Sequence, residues 1–343
     1  MILAKIIAMV GLSVSLGAYA NETDIKTTTP EIKPFVVGGG DGKASELPWQ
    51  VYLEIEKGGT TYACGGTLVT DRWVVTAAHC INRFESSSVF SPVHADQLTV
   101  YSGGIDRSLK DDMSNNSVMQ VVANPLYDHS THTGDIALLQ LSKPVELPAQ
   151  AIRLMDDALQ VDADLEFDHG VRNNVVLSGW GRTSTDGIKS TNILQKIVLD
   201  GTDDDSCALA WGWSGFETSF ICANAYNKGS CSGDSGGPLI WQDKNAISDN
   251  DRGYRLAGVV SFGNAQQCAL NSLPDVYTQV SSVYDWIVDE INKTCVYTEP
   301  ESSFTQDIFI VEAAPLLQSK QGGGIGYSFL FILTSLLLYR RRN

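Results

Sequence analysis

Apolar residues recur through most of the 343-residue chain in short runs, separated by polar or glycine-rich turns. Runs of four to eight apolar and β-branched residues with turn signals at both ends predict β-strands. One stretch near the end of the β-rich region has helical spacing instead. Its apolar positions, which would share one helix face, are Val283, Trp286, Ile287 and Ile291. The pattern therefore predicts a β-rich body that closes with a short helix. The strand candidates include residues 64–69, 73–80, 98–101, 136–141, 259–263 and 277–280.

The N-terminal region departs from this pattern. Lys5, an apolar run from Ile6 to Leu16, and Ala18-Tyr19-Ala20 form the charged, apolar and small-residue regions of a secretory signal peptide, predicted over residues 1–20. Residues 21–35 are polar and have no periodic apolar pattern, so we interpret them as a pro-segment.

The C-terminal region changes character as well. Residues 295–324 are predicted to be a linker, and residues 325–343 a hydrophobic segment that ends in an arginine cluster. The apolar run from 325 to 339 would measure about 22 Å as a helix, against about 30 Å for the bilayer core. Gly322 to Gly324, the apolar run and the arginines together resemble the GlyGly-CTERM sorting tails of Gram-negative bacteria. Such tails are removed by a rhomboid-type protease; a plain membrane anchor is the alternative.

Composition limits the function classes. The formal net charge of −16 argues against binding to nucleic acid or to anionic membranes. Hydrophobic residues make up 43% and charged residues 19%, as in folded globular proteins. Seven cysteines in an exported chain predict disulfides, but six paired cysteines allow fifteen connectivities, among which the residues alone do not choose.

The stretch from Cys231 to Leu239 carries the first candidate chemistry. Ser235 lies among glycines, which can adopt positive φ and let two backbone N–H groups point at one position beside the serine oxygen. An acyl-transfer reaction needs such a pair of donors for its oxyanion. The alternative is a glycine-rich turn that happens to contain a serine, so a base and an orienting acid are required from elsewhere in the chain.

Two further motifs supply them. His79 lies in Thr76-Ala77-Ala78-His79-Cys80, and Asp135 opens an apolar run after Gly134. Together with the start Val36-Val37-Gly38-Gly39, these motifs resemble the trypsin/chymotrypsin-like serine peptidases over residues 36–292.

The resemblance implies an all-β fold of two six-stranded antiparallel Greek-key β-barrels, packed with the active site between them, plus a C-terminal helix, over residues 36–294. It implies that Ser235 is the nucleophile, His79 the general base and Asp135 the residue that orients the histidine. The N–H groups of Gly233 and Ser235 would form the oxyanion hole. No cofactor is implied, and no metal site, since the family's calcium loop uses a glutamate that is missing around Gly103.

The resemblance also implies a zymogen. Cleavage before Val36 would free an amino group that pairs with Asp234 in the protein interior. Phe35 stands where most relatives have Arg or Lys, and Lys33 is followed by Pro34, which disfavours cleavage there. We therefore expect a separate activating protease that accepts an aromatic residue, rather than self-activation.

Three disulfides are implied by the resemblance: Cys64–Cys80, Cys207–Cys222 and Cys231–Cys268. Cys295 is left over, either as a free thiol or as an intermolecular bridge. Val175 and Trp241 replace a cysteine pair found in many relatives, and we expect an apolar contact between them.

The predicted substrate preference rests on two positions at which this chain differs from the family pattern. Trypsin-like relatives carry an aspartate at the base of the primary pocket, where this chain has Gly229. Asp275 stands where most relatives have glycine, and that position also faces the pocket base. We predict cleavage after Arg or Lys with tolerance for Leu, Phe or Tyr, unless Asp275 is a turn residue that points outward. The predicted substrate-binding residues are Gly229, Ser230, Ser261, Gly263 and Asp275, with His132 beside the second subsite.

The expected partners are protein and peptide substrates, an activating protease, a rhomboid-type sorting protease and the export machinery, but no nucleic acid. The expected location is outside the cell or on its outer surface. A catalytically inactive binding module is the alternative, but it would require a broken triad. A surface structural protein would explain the C-terminal segment and leave the three catalytic motifs unexplained.

Overall fold

The short apolar runs form two closed β-barrels in the computed structural model of the protein, which describes residues 37–311 except 44, 84–89, 214–218 and 265. The predicted signal peptide, the pro-segment, Val36 and the hydrophobic segment 325–343 lie outside the described residues. All described residues fall within one unit of the chain, 33–315.

The first barrel closes in the order β2-β3-β4-β7-β6-β5, and each neighbouring pair whose register is given is antiparallel. Its strands are β2 (Gln50–Lys57), β3 (Thr60–Leu68), β4 (Trp73–Thr76), β5 (Leu98–Ser102), β6 (Ser114–Ala123) and β7 (Ala137–Leu141). Trp49 and Trp73 are completely buried in its core. The predicted strands at 64–69 and 73–80 correspond to β3 and β4, which pair with Thr67 opposite Val75, although β4 already ends at Thr76.

The second barrel closes in the order β9-β10-β11-β14-β13-β12, with β12 returning to β9. Two short strands join its sheet, β1 on β10 and β8 on β13. The strands are β1 (Gly40–Asp41), β8 (Arg153–Leu154), β9 (Val175–Gly179), β10 (Gln195–Thr202), β11 (Phe220–Asn224), β12 (Pro238–Gln242), β13 (Tyr254–Phe262) and β14 (Asp275–Gln279). This is the chymotrypsin fold, as the sequence predicts.

Three α-helices accompany the barrels in the described part of the chain: α1 (Asp157–Asp168), α2 (Asp204–Trp211) and α3 (Tyr284–Asn292). The predicted C-terminal helix is α3, in which Ile287 and Ile291 are completely buried. The expected contact between Val175 and Trp241 is present as well: they are register partners on β9 and β12, and both are buried.

The start of the predicted linker is part of the folded body. Within residues 295–311, which we call the C-terminal strap, Phe304 and Ile308 are buried. Phe304 packs edge-on against Trp49 at 4.8 Å between ring centroids and stacks with Tyr254 at 6.1 Å. The prediction of a linker from 295 is therefore wrong as far as residue 311, because these apolar side chains pack against residues of both barrels.

No helix among the described residues combines the length and the apolar composition needed to cross a membrane.

Candidate active site

The pairing of β4 with β7 brings His79 and Asp135 together. Thr76 and Ala137 are register partners at the ends of these antiparallel strands. The residues that follow β4 therefore lie beside those that precede β7. His79 begins a short 3₁₀ turn just after β4, and Asp135 precedes β7 by two positions.

The Asp135 carboxylate is completely buried and hydrogen-bonded from two elements. His79 Nδ1 lies 2.7 Å from Oδ2, and the His79 backbone N–H donates to Oδ1 at 2.8 Å. From the second barrel, the Ser261 hydroxyl donates to Oδ2 at 2.6 Å. Burial by itself would raise the pKa of Asp135, but the imidazoles of His79 and His132 and the Ser261 hydroxyl outweigh it and hold that pKa below its ordinary value. The carboxylate is thus held ionised beside the imidazole.

The turn that carries Ser235 is anchored to both barrels. Gly65 of the first barrel donates to the Ser235 carbonyl at 2.7 Å, and Gly236 donates to the Val260 carbonyl of the second at 2.9 Å. Gly233 and Gly236 adopt positive φ of 103° and 77°. A Cβ at Gly236 would lie 2.3 Å from Thr76 Oγ1, so the turn packs against the end of β4 from which His79 follows.

Asp234, next to the candidate nucleophile, is completely buried. Its carboxylate accepts from the N–H groups of Gly181 at 2.8 Å and Cys231 at 3.0 Å. Burial raises its pKa to about 6 despite these bonds. Val37, the first described residue, is buried in a small apolar cluster that includes Cys231. The neighbouring Val36 lies outside the described residues.

A cavity of about 170 Å³ adjoins Ser235. Asp275 borders it and is only 4% exposed, so this side chain does not point outward into solvent. The carboxylate accepts the Ser230 N–H, and it fills the space of the missing side chains at Gly229 and Gly263, whose ideal Cβ positions lie 2.5 and 2.6 Å from its oxygens. Burial raises the pKa of Asp275 to about 7.

The predicted substrate-binding residues divide into two groups. Ser230, Ser261, Gly263 and Asp275 line the cavity, whereas Gly229 lies behind the Asp275 carboxylate. The Ser261 hydroxyl is turned away towards Asp135, a contact that the sequence pattern does not indicate.

A cluster of aromatic side chains around Phe262, which we call the aromatic wall, is not predicted by the sequence pattern. Phe262, the last residue of β13, contacts the rings of Trp211 and Phe220 at 5.2 and 5.6 Å between centroids. Trp213 stacks on Trp211 at 5.8 Å. His132 lies 5.3 Å from Phe262 on the other side. The two tryptophans in the segment bracketed by Cys207 and Cys222 are the only sequence signal of this wall.

The structure joins the cysteines in the three pairs that the resemblance implies: Cys64–Cys80, Cys207–Cys222 and Cys231–Cys268. Cys295 is exposed and forms no disulfide with the described part of the chain. Disulfides persist in oxidising compartments, which indicates an extracellular protein.

Two barrels of the chymotrypsin fold, a half-buried histidine hydrogen-bonded to a buried aspartate, and a glycine-bounded serine on the adjoining cavity are features of the serine peptidases. Comparison with known proteins agrees: residues 36–287 match the sequence profile of the family described as Trypsin, and the chain belongs to this family of hydrolases.

Several curated relatives are similar over the same region. Chymotrypsin-like elastase family member 3B of Homo sapiens is 34% identical over 269 residues, which cover 75% of this chain and 88% of that protein. Transmembrane protease serine 11C of Mus musculus is 32% identical over 258 residues, or 74% of this chain and 53% of that protein. The chain thus spans about half the length of the mouse relative. Serine protease 7 of Drosophila melanogaster is 33% identical over 268 residues, 75% of this chain and 65% of that protein.

Proposed function

We propose that the protein is an exported serine endopeptidase, made as a zymogen, that cleaves after Arg or Lys and also accepts large apolar residues. The observation that carries the catalytic part is the 2.7 Å contact between His79 Nδ1 and the buried Asp135 carboxylate. Ser261, which donates to the same carboxylate, lines the cavity that Ser235 adjoins. Its substrates are proteins and peptides.

The mechanism assigns one role to each residue. Ser235 Oγ attacks the peptide carbonyl, and His79 accepts its proton and later donates it to the leaving amine. Asp135 accepts the Nδ1–H, which keeps Nε2 unprotonated and facing the serine, and it stabilises the imidazolium. The N–H groups of Gly233 and Ser235 bind the oxyanion, and losing one such donor typically costs about 10²–10³ in rate. No cofactor takes part.

Activation would occur by cleavage between Phe35 and Val36. The new amino group of Val36 would enter next to the buried Val37 and pair with Asp234. The raised pKa of Asp234 supports this, since a buried carboxylate is costly to ionise unless a cation pairs with it. Phe35 at the cleaved bond calls for an activating protease that accepts an aromatic residue.

The primary specificity would come from Asp275. Its carboxylate lies at the pocket wall, where it can pair with a guanidinium or an ammonium group of the substrate. When it is neutral, a cavity of about 170 Å³ with little charge remains, similar to the roughly 150 Å³ that admits a benzene ring in an apolar protein cavity. The same pocket would therefore accept both kinds of side chain.

Specificity is tested with substrates that carry Arg, Phe or Leu before the scissile bond. We expect Asp275→Asn and Asp275→Gly to reduce kcat/KM for Arg about 30-fold or more, because a buried ion pair is lost, and to change Phe and Leu cleavage by only a few-fold. The double variant Gly229→Asp/Asp275→Gly returns a carboxylate to the other wall and should restore Arg cleavage. Arg cleavage that survives Asp275→Gly unchanged would contradict the assignment.

We further propose export by the signal peptide and removal of the C-terminal hydrophobic segment by a rhomboid-type sorting protease at a Gram-negative cell surface. The three disulfides and the polar stretch that precedes the GlyGly motif support this placement.

A further inference from the structure

His132 occupies a strained position beside the catalytic pair. Its backbone has φ of 58°, in the left-handed region that non-glycine residues seldom adopt. This conformation directs the imidazole towards the pair, with its centroid 6.1 Å from that of His79 and the rings nearly perpendicular. Backbone strain of this kind persists where the surroundings enforce it, and it is frequent at functional sites.

The Nδ1 atom of His132 lacks a hydrogen-bond partner among the residues that the structure describes. Nδ1 is inaccessible to solvent, and no described residue forms a hydrogen bond with it. It lies 3.8 Å from Asp135 Oδ2, too far for a hydrogen bond. A buried ring nitrogen aimed at a carboxylate and at a second imidazole is thus left without a hydrogen bond of normal length, which is normally unfavourable.

The three donor groups match the ligand set of a zinc ion. One ring nitrogen each from His79 and His132 and one oxygen of Asp135 all lie within 4.8 Å of one another. Zinc–ligand bonds of about 2.0–2.2 Å in a tetrahedron separate neighbouring ligand atoms by about 3.4 Å. The separations of 2.7 Å from Asp135 Oδ2 to His79 Nδ1 and 3.8 Å to His132 Nδ1 lie on either side of that value, so small ring movements suffice.

We propose that His79, His132 and Asp135 form an inhibitory site for Zn²⁺, with water as the fourth ligand. A second group, Cys64, His79 and Cys80, has similar spacing, but its two cysteines are joined in a disulfide and offer no thiolate. The site is thus carried by the two histidines and the aspartate.

Inhibition follows from the tautomer of His79. A neutral imidazole bound to zinc through Nδ1 carries its remaining proton on Nε2. The Nδ1 proton is therefore transferred through solvent to Nε2, and no proton is gained or lost overall. An Nε2 that already carries a proton cannot accept one from Ser235, and the zinc ion also takes the Asp135 oxygen that held the ring. This effect on activity rests on the proposed function, whereas the binding itself does not.

Binding is tested on the Ser235→Ala protein, which keeps all three ligands, by calorimetric titration with zinc chloride. We expect one Zn²⁺ per chain. His132→Asn in the same background should weaken binding at least about tenfold, since loss of a group that merely orients a ligand already costs 10- to 100-fold in metal affinity. Asn is suitable here because it tolerates left-handed backbone. His129→Asn is the matched control: His129 Nδ1 contacts the Tyr127 hydroxyl at 3.2 Å, and its loss should leave zinc affinity within about threefold.

Inhibition is then measured on the active enzyme, each variant relative to its own zinc-free rate. We expect inhibition that a chelator reverses and that needs at least about tenfold more zinc in His132→Asn. Absence of zinc binding up to millimolar concentration overturns the proposal, and so does binding that His132→Asn leaves unchanged. If the enzyme shows no peptidase activity at all, the proposed function fails, and the titration still decides the zinc site.

Discussion

Three buried aspartates differ in charge because their neighbours differ. Asp135, Asp234 and Asp275 are each at most 4% exposed, and burial alone raises the pKa of every one of them. The imidazole of His79 reverses this for Asp135. For Asp275, burial dominates, Asp234 adds repulsion, and Ser230 is the donor among the described residues, so its pKa reaches about 7. Of the three, Asp275 has the highest pKa and changes charge closest to neutral pH.

This titration predicts a specificity that depends on pH. Below about pH 7 the Asp275 carboxyl binds a proton and loses its attraction for Arg, and above it the carboxylate is restored. The ratio of kcat/KM for an Arg substrate to that for a Phe substrate should therefore rise with pH through about 7 and then level off. Both kcat/KM values report ionisations of the free enzyme. Titration of His79 changes them by the same factor and therefore cancels in their ratio.

The control for this prediction is Asp275→Asn, in which the ratio should be low and independent of pH. A wild-type ratio that stays constant over about 1.5 pH units on either side of 7 would show that Asp275 does not control recognition of Arg.

At the scale of elements, the C-terminal strap shows what a local pattern cannot reveal. Residues 298–311 contain isolated apolar residues without helical or alternating spacing, which predicts a linker. Their burial depends on Trp49 and Tyr254, which are distant in the sequence. Hydrogen bonds also hold the strap: the Phe304 backbone N–H donates to the Asn250 carbonyl at 2.9 Å, and the Ser302 side-chain hydroxyl donates to the Ala151 carbonyl at 2.6 Å.

We predict that Phe304→Ala destabilises the protein by about 3–5 kcal/mol, the usual loss for a buried aromatic ring. Chemical denaturation with disulfides intact measures the change. Ile310, in the same strap but 62% exposed, provides the matched control, and Ile310→Ala should have little effect. Equal stability of the two variants would show that the strap does not contribute to the folded body.

At the scale of the whole molecule, the sequence predicts the two barrels and the contact between His79 and Asp135 well, because each depends on a local motif. His79 and Asp135 follow and precede apolar runs, and pairing of those runs places them together. Other features depend on contacts between distant segments. The left-handed backbone of His132, the aromatic wall around Phe262 and the turning of Ser261 towards Asp135 have no periodic signature.

The proposed activation makes a prediction about the mature chain. N-terminal sequencing of the active secreted form should give Val36 as the first residue, since Val36 directly precedes the buried Val37. Asp234→Asn should lower activity without changing this N-terminus, because the mature chain would lack its ion pair. Full activity of a form that still carries residues 21–35 would contradict the zymogen proposal.

The central claim is that Ser235 is an activated nucleophile, and labelling by a fluorophosphonate tests it most directly. We expect the mature protein to be labelled at Ser235, and we expect Ser235→Ala to abolish labelling and to lower kcat by about 10⁶, as in subtilisin. Ser303→Ala, at an exposed serine of the strap, should be labelled like the wild type. A mature protein that is not labelled, or one whose labelling persists in Ser235→Ala, would contradict the account.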